Sequence, residues 1–341
     1  MVLYENLGES PEDAHYKSGK KKRNETVVPS GMRGDHSRDE HHRRLQKQRN
    51  AYHPYDQFLS HRAYEYTNKS SIFITFVPTM LSLLYVILSG IALPVGGIQM
   101  QYLWRNQLGD VYSLGLGSAA CLGAAAATMS GWCSLTVGSF ICTLICTLIC
   151  YFVTLKVNTQ HLITFGILFG TFIGSLGTIV VTNAPNGELL KQYYLWGAAN
   201  FRLEGVTTPD IIFSLALFAV GIIAAICSAP KLTAHFKEET ELSANFKALQ
   251  LLSIMCLVTS SVSICGPIGF ISLGVPNLSR ILSKDTNIKK HYLISSGIGI
   301  ALLLITYLVV KYVNFGIYLP ISATMAIIAL PLMAILFLKK G

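Results

Sequence analysis

The chain has 341 residues, 51% of them hydrophobic and 13% charged, a balance too apolar for a soluble globular domain with an ordinary polar surface. The formal net charge of +9 would suit a nucleic-acid partner only if the basic residues shared a soluble face. In the apolar region they stand singly between hydrophobic runs, which excludes that class and leaves an integral membrane protein.

Residues 1–70 are polar and mixed in charge without helical or strand periodicity, so they read as a disordered tail. Its histidines His36, His41, His42, His53 and His61 show no defined ligand spacing and read as solvated rather than metal-binding. Nine apolar runs follow, at 72–99, 111–130, 134–155, 161–182, 209–228, 248–264, 270–282, 292–312 and 319–338. About 20 apolar residues in a helix cover the roughly 30 Å of a bilayer's hydrocarbon, where every backbone polar group must be paired. The run 270–282 is short and follows Cys265-Gly266-Pro267, so it reads as a broken or partial helix. The predicted architecture is an all-α transmembrane bundle of about nine to ten helices over 71–341, behind the 1–70 tail.

Basic residues in short connectors mark the cytoplasmic side. They alternate: Arg105; Lys156; Lys231, Lys237 and Lys247; Arg280, Lys284, Lys289 and Lys290; then Lys339 and Lys340. The connectors at Gly131 and near Gly266 have none. The C-terminus is therefore expected inside, and nine spans place the N-terminus outside. That conflicts with the basic runs at 20–23 and 41–44. Either the first run does not span, a tenth span has been replaced, or the tail is not a natural leader. All eight cysteines lie in or beside apolar runs, against a disulfide framework. Cys142, Cys146 and Cys150, four residues apart, read as packed small residues in preference to a soft-metal ladder.

Three blocks carry more information. The first contains Gln99, Arg105, Asn106 and Asp110 and leads into the small-residue run 114–124, a face on which neighbouring backbones can approach closely. The second is Cys265-Gly266-Pro267-Ile268-Gly269-Phe270-Ile271-Ser272-Leu273-Gly274-Val275-Pro276-Asn277-Leu278-Ser279-Arg280. Its prolines and glycines break helical hydrogen bonding, which a membrane tolerates only beside protein or a water-filled cavity. The third is Gly166, Gly170 and Gly174, one glycine per turn.

In this order the first two blocks resemble the Q-x-x-F-R-N-P-L and G-P-I-G-F-V-G-L-x-V-P-H-x-x-R signatures of the FecCD-type permeases of iron-siderophore, haem and vitamin B12 ABC importers. Tyr194 to Asn200, and Tyr318-Leu319-Pro320-Ile321 with Ala329-Leu330-Pro331-Leu332, resemble weaker stretches of the same family. The resemblance implies a type II ABC importer permease without enzymatic activity or cofactor. It also implies, as partners, a second permease subunit, two cytoplasmic ATPase subunits and an extracytoplasmic binding protein, in a bacterial cytoplasmic membrane. The chain has no G-x-x-x-x-G-K-[ST] loop of its own.

On the same resemblance, the translocation path is expected along Gly166, Gly170 and Gly174, the segment with Trp196 and Gly197, and the break at Gly266, Pro267, Gly269 and Pro276. ATPase coupling is expected at Glu238, Glu239, Glu241 and Leu242, read as an acidic helix start followed by an apolar plug. Docking of the binding protein is expected at Lys311 and Arg202. Gln99, Arg105, Asn106 and Arg280 are motif residues of structural role. Ferric siderophore ranks above haem and haem above cobalamin as cargo. Two competing classes are a secondary transporter or channel, which would need inverted repeats or buried ionisable residues, and a structural or impaired membrane subunit.

Overall fold

A computed structural model describes residues 71–157, 159–199, 201, 206–238, 240–283, 287–313 and 319–340, all within one unit running from Lys69 to Gly341. The predicted tail, Arg202 and Glu239 lie outside the described residues.

Every regular element among the described residues is a helix, which bears out the all-α reading. In chain order they are α1 (Ser71–Leu103), α2 (Leu116–Ser130), α3 (Leu135–Lys156), α4 (Thr159–Thr182), α5 (Gly187–Gly197), α6 (Thr208–Glu238), α7 (Ala244–Cys265), α8 (Ile271–Leu282), α9 (Ile288–Tyr312) and α10 (Ile321–Lys340). Six of them, α1, α3, α4, α6, α7 and α9, are long and apolar enough to cross a membrane. The helix α2 is shorter than the apolar run that predicts it. Gly115, at φ 74°, adopts a left-handed turn that glycine takes without steric cost, and the helix begins only after it. The unpredicted α5 is started by the Asn186 side chain, which accepts from the Leu189 N–H at 2.9 Å, a cap of the usual Asn type.

Two helices make the centre. In α7 83% of the most apolar stretch is buried, and in α1 72%, against 17% in α4. The helix α1 packs on α6, α7, α8 and α9, while α7 touches α2, α3 and α6 as well. Encirclement explains why α7 carries hydroxyls inside a membrane. Ser261 donates to the Ser89 hydroxyl at 2.7 Å, and Ser89 donates to the Cys265 sulfur at 3.4 Å. Ser261 and Ser89 thus find partners on neighbouring helices instead of hydrocarbon.

Prolines behave differently from their sequence reading. Pro276 does not extend the break; it lies inside α8 and is buried. Proline cannot donate to the carbonyl four residues back, which here is that of Ser272. That carbonyl is seated against α1, where a Cβ on Gly97 would fall 1.9 Å from it. Likewise α6 does not stop near Ser228 but runs through Pro230 to Glu238. The non-helical break is confined to residues 266–270.

Candidate translocation site

The site begins where α1 ends. Residues 104–115 form a tight turn: Asn106 accepts from the Leu108 N–H at 2.8 Å through its side chain and from Gly109 N–H at 3.0 Å through its carbonyl. The Ser113 hydroxyl donates to the Asp110 carbonyl at 2.6 Å. From this turn two groups reach the break. Ser272, in the first turn of α8, donates its hydroxyl to the Asp110 carboxylate, and the Ile268 N–H donates to the Tyr112 hydroxyl at 3.0 Å. One freed backbone group of the break, the Ile268 N–H, is thus satisfied by protein, as a membrane demands.

Burial pushes the Asp110 carboxyl above its ordinary range, and the Ser272 hydroxyl with the Val111 and Tyr112 N–H groups offsets part of that rise. A raised folded-state value means the folded protein holds a proton that the unfolded chain releases. Stability from this group is therefore full at low pH and is lost as pH rises from about 3.9 to the elevated value. Asp110→Asn should flatten that limb of the profile, measured as the apparent melting temperature of detergent-solubilised protein against pH. An unchanged slope would remove Asp110 as its source.

The break also grips α5. Gly266 has φ 81°, and a Cβ there would stand 2.2 Å from the Trp196 carbonyl. The Trp196 indole donates to the Ser263 carbonyl at 3.1 Å. Trp196 and Gly266 are therefore brought together, whereas Gly197 and Gly269 have open space where a Cβ would be.

Along α4 the three predicted glycines separate into two roles. Gly166 and Gly170 are contact residues: a Cβ at Gly166 would lie 2.1 Å from the Ser113 carbonyl, and one at Gly170 would lie 3.2 Å from Gly115 Cα. Gly174 has nothing near it and lines a cavity of about 310 Å³. That cavity lies between α2, α4, α5 and the break, and its wall includes Tyr112, Cys121, Thr178, Tyr193 and Pro267. The Tyr193 hydroxyl donates to the Cys121 carbonyl at 3.4 Å, so the aromatic wall is anchored. The wall is uncharged and presents rings and hydroxyls. Tyr112 and Cys121 were not singled out in the sequence, because neither stands at a spacing that signals a wall. A signal did exist for Thr178, since Thr171, Ser175, Thr178 and Thr182 recur along one exposed face of α4. Each donates to the carbonyl four residues back at 2.7–3.1 Å.

The remaining motif residues take other positions. Gln99 is buried in α1, which continues four residues past the predicted end. Arg105 is left-handed at φ 49° and donates to the His235 carbonyl at 3.1 and 2.7 Å and to the Thr240 carbonyl at 3.3 Å. The Arg280 guanidinium lies 5.3 Å from the Tyr102 ring centre and 5.9 Å from that of Phe236, a cation–π seat.

The segment expected to meet an ATPase differs from its reading. Glu238 ends α6 instead of starting a helix, and Leu242 is buried in the chain's own core at 8% exposure. The apolar plug is therefore spent internally, and Glu241 remains exposed. On the opposite side Lys311 is exposed, with its ammonium 3.5 Å from the Thr79 hydroxyl and 3.3 Å from that of Tyr307. The Cys146 and Cys150 thiols both donate to the Leu114 carbonyl, at 3.8 and 3.4 Å, in keeping with packing.

A multi-pass helical bundle with a broken segment beside a cavity defines a membrane transport subunit. The FecCD transport family model matches residues 51–339, starting within the stretch read as tail. An uncharacterized ABC transporter permease protein, YvrB of Bacillus subtilis (strain 168), is 24% identical over 271 residues, covering 74% of this chain and 75% of that one. The vitamin B12 import system permease protein BtuC of Escherichia coli (strain K12 / DH10B) is 27% identical over 274 residues, covering 76% and 81%. Among solved structures, one described as an inward-facing metal-chelate type ABC transporter superposes with a TM-score of 0.68 at 20% identity, over 80% of this chain and 90% of that one. PsaBC from Streptococcus pneumoniae, in complex with Fab, gives 0.57 at 15% identity, over 76% and 90%. Both share the fold. The chain belongs to the FecCD transport family and is a multi-pass ABC importer permease subunit.

Proposed function

We propose that the chain forms half of the path by which a bulky metal chelate enters a bacterial cell across the cytoplasmic membrane. A second permease subunit completes the path, two ATPase subunits power it from inside, and an extracytoplasmic binding protein delivers the cargo. The observation that carries the reading is the uncharged cavity between α4, α5 and the break, where Gly174 and Pro267 share a wall. A conduit for a large solute has to guide without holding, because a tight site midway would trap it. Rings and back-bonded hydroxyls meet that condition better than a fixed charge would.

The exposed face of α4 supports a paired arrangement. It combines Ile167, Leu168, Phe172 and Ile179 with the hydroxyls of Thr171, Ser175, Thr178 and Thr182, which suits a second helical subunit across a path better than uniform lipid. Glu241 is offered to the ATPase and Lys311 to an acidic group of the binding protein. Ferric siderophore is the preferred cargo, with haem and cobalamin behind it. One relative, BtuC, is a vitamin B12 import permease, so cobalamin belongs in the test. Cells lacking their own uptake systems, supplied with this chain and its neighbouring transport genes, are offered radioiron-loaded desferrioxamine, haem or cyanocobalamin. Energy-dependent accumulation of the ferric chelate is expected. Accumulation of none of the three would reject the reading.

A further inference from the structure

We infer that the connector 104–113 is a mechanical relay joining the segment after α6 to the break beside the cavity, with Arg105 as its positioning residue. The inference rests on the importer reading, since it needs an ATPase acting on the cytoplasmic side.

At one end, Arg105 reaches across the fold to the carbonyls of His235 and Thr240. Carbonyls in the last turn of a helix lack an intrahelical donor, and a cation is favoured there. The guanidinium therefore ties the end of α6, and the strand of chain leading to Glu241, onto the end of α1. At the other end three bonds hold the break and α8: Ser272 to Asp110, Ile268 N–H to Tyr112, and the Asn277 amide to the Gln107 carbonyl at 3.1 Å. Between them the turn is stitched by its own hydrogen bonds at Asn106, Gly109, Asp110 and Ser113, so it moves as a body. Its last ring, Tyr112, is itself cavity wall.

The backbone marks the same two ends. Among the described residues four non-glycine residues have positive φ, and two of them are Arg105 at 49° and Phe270 at 72°. Phe270 is the residue from which α8 starts. Strained conformations persist where the surroundings over-determine them, and they cluster at switch regions. Motion of the segment after α6 is thereby passed through the turn to residues 266–272 and the Tyr112 wall.

Cys121 in that wall reports the cavity without any cargo. The full chain, copurified with its ATPase in lipid nanodiscs, is treated with N-ethylmaleimide, and modification of Cys121 is followed by mass spectrometry with and without ATP and vanadate. Wild type is expected to show a several-fold change in rate between the two states. Arg105→Gln should abolish that change while ATP hydrolysis stays at the wild-type rate, and Arg105→Lys should retain it. Ser272→Ala, at the other end, should abolish it too, and the double variant should be no worse than either single one, as for residues in one chain of contacts. The relay is overturned if Arg105→Gln keeps the nucleotide response, or if it loses response and hydrolysis in proportion. Should that variant not assemble, a normal response in Ser272→Ala overturns it equally. A wild type that brings down no ATPase would instead sink the importer reading itself.

Discussion

Gly174→Trp is expected to leave the protein folded and to stop transport. No atom lies within 4 Å of where its Cβ would be, so the indole enters open space in the cavity instead of the packed interior. Uptake of the ferric chelate should fall by roughly tenfold or more, equivalent to about 1.4 kcal/mol of added barrier. The apparent melting temperature in detergent should stay at the wild-type value. The contrast is Gly170→Trp, one turn away, which meets the backbone of Gly115 and should fail to accumulate as monodisperse protein. Wild-type uptake by the Gly174 variant would show that the cavity is not on the path.

Gly266→Ala should do the reverse and damage the fold first. Two independent costs meet there. The backbone is left-handed at φ 81°, which an L side chain adopts at about 1–3 kcal/mol, and the added methyl falls 2.2 Å from the Trp196 carbonyl, overpacking of similar size, about 1–3 kcal/mol. The obstacle is backbone on a helix fixed by the Trp196 indole, so it cannot swing aside like a flexible side chain. Solubilised yield and melting temperature are both expected to drop, while Gly269→Ala, three residues on and unobstructed, should match wild type in both. Equal behaviour of the two variants would mean that the break is not held against α5.

How far the sequence disclosed this arrangement depends on which physical signal each element emits. Long apolar runs have only one solution in hydrocarbon, so the all-α bundle and the placing of α1, α3, α4, α7 and α9 were legible from composition alone. Boundaries were less so. The apolar run ends at 228, yet α6 continues through Pro230 to Glu238. Pro276 reads as part of the break, yet its consequence is absorbed by a glycine 179 positions earlier, a pairing no local pattern reveals. At the site, the glycine repeat could not say which member packs and which opens, since that depends on what lies opposite. Residue types alone placed Leu242 on a surface, and only the three-dimensional core shows it consumed within. Tyr112 is the clearest omission. A single tyrosine in a polar turn emits no periodic signal, although its hydroxyl satisfies the break and its ring walls the cavity.

The carbonyl of Ser272, deprived of its donor by Pro276 and lodged on Gly97, has a bearing on how the subunit can rearrange. A proline in a helix normally supplies a point of bending, but here the notch it leaves is occupied by the neighbouring rod, fixing the two against sliding along their axes. The two helices are thereby keyed together, and the non-helical stretch next to them is the five residues from 266 to 270.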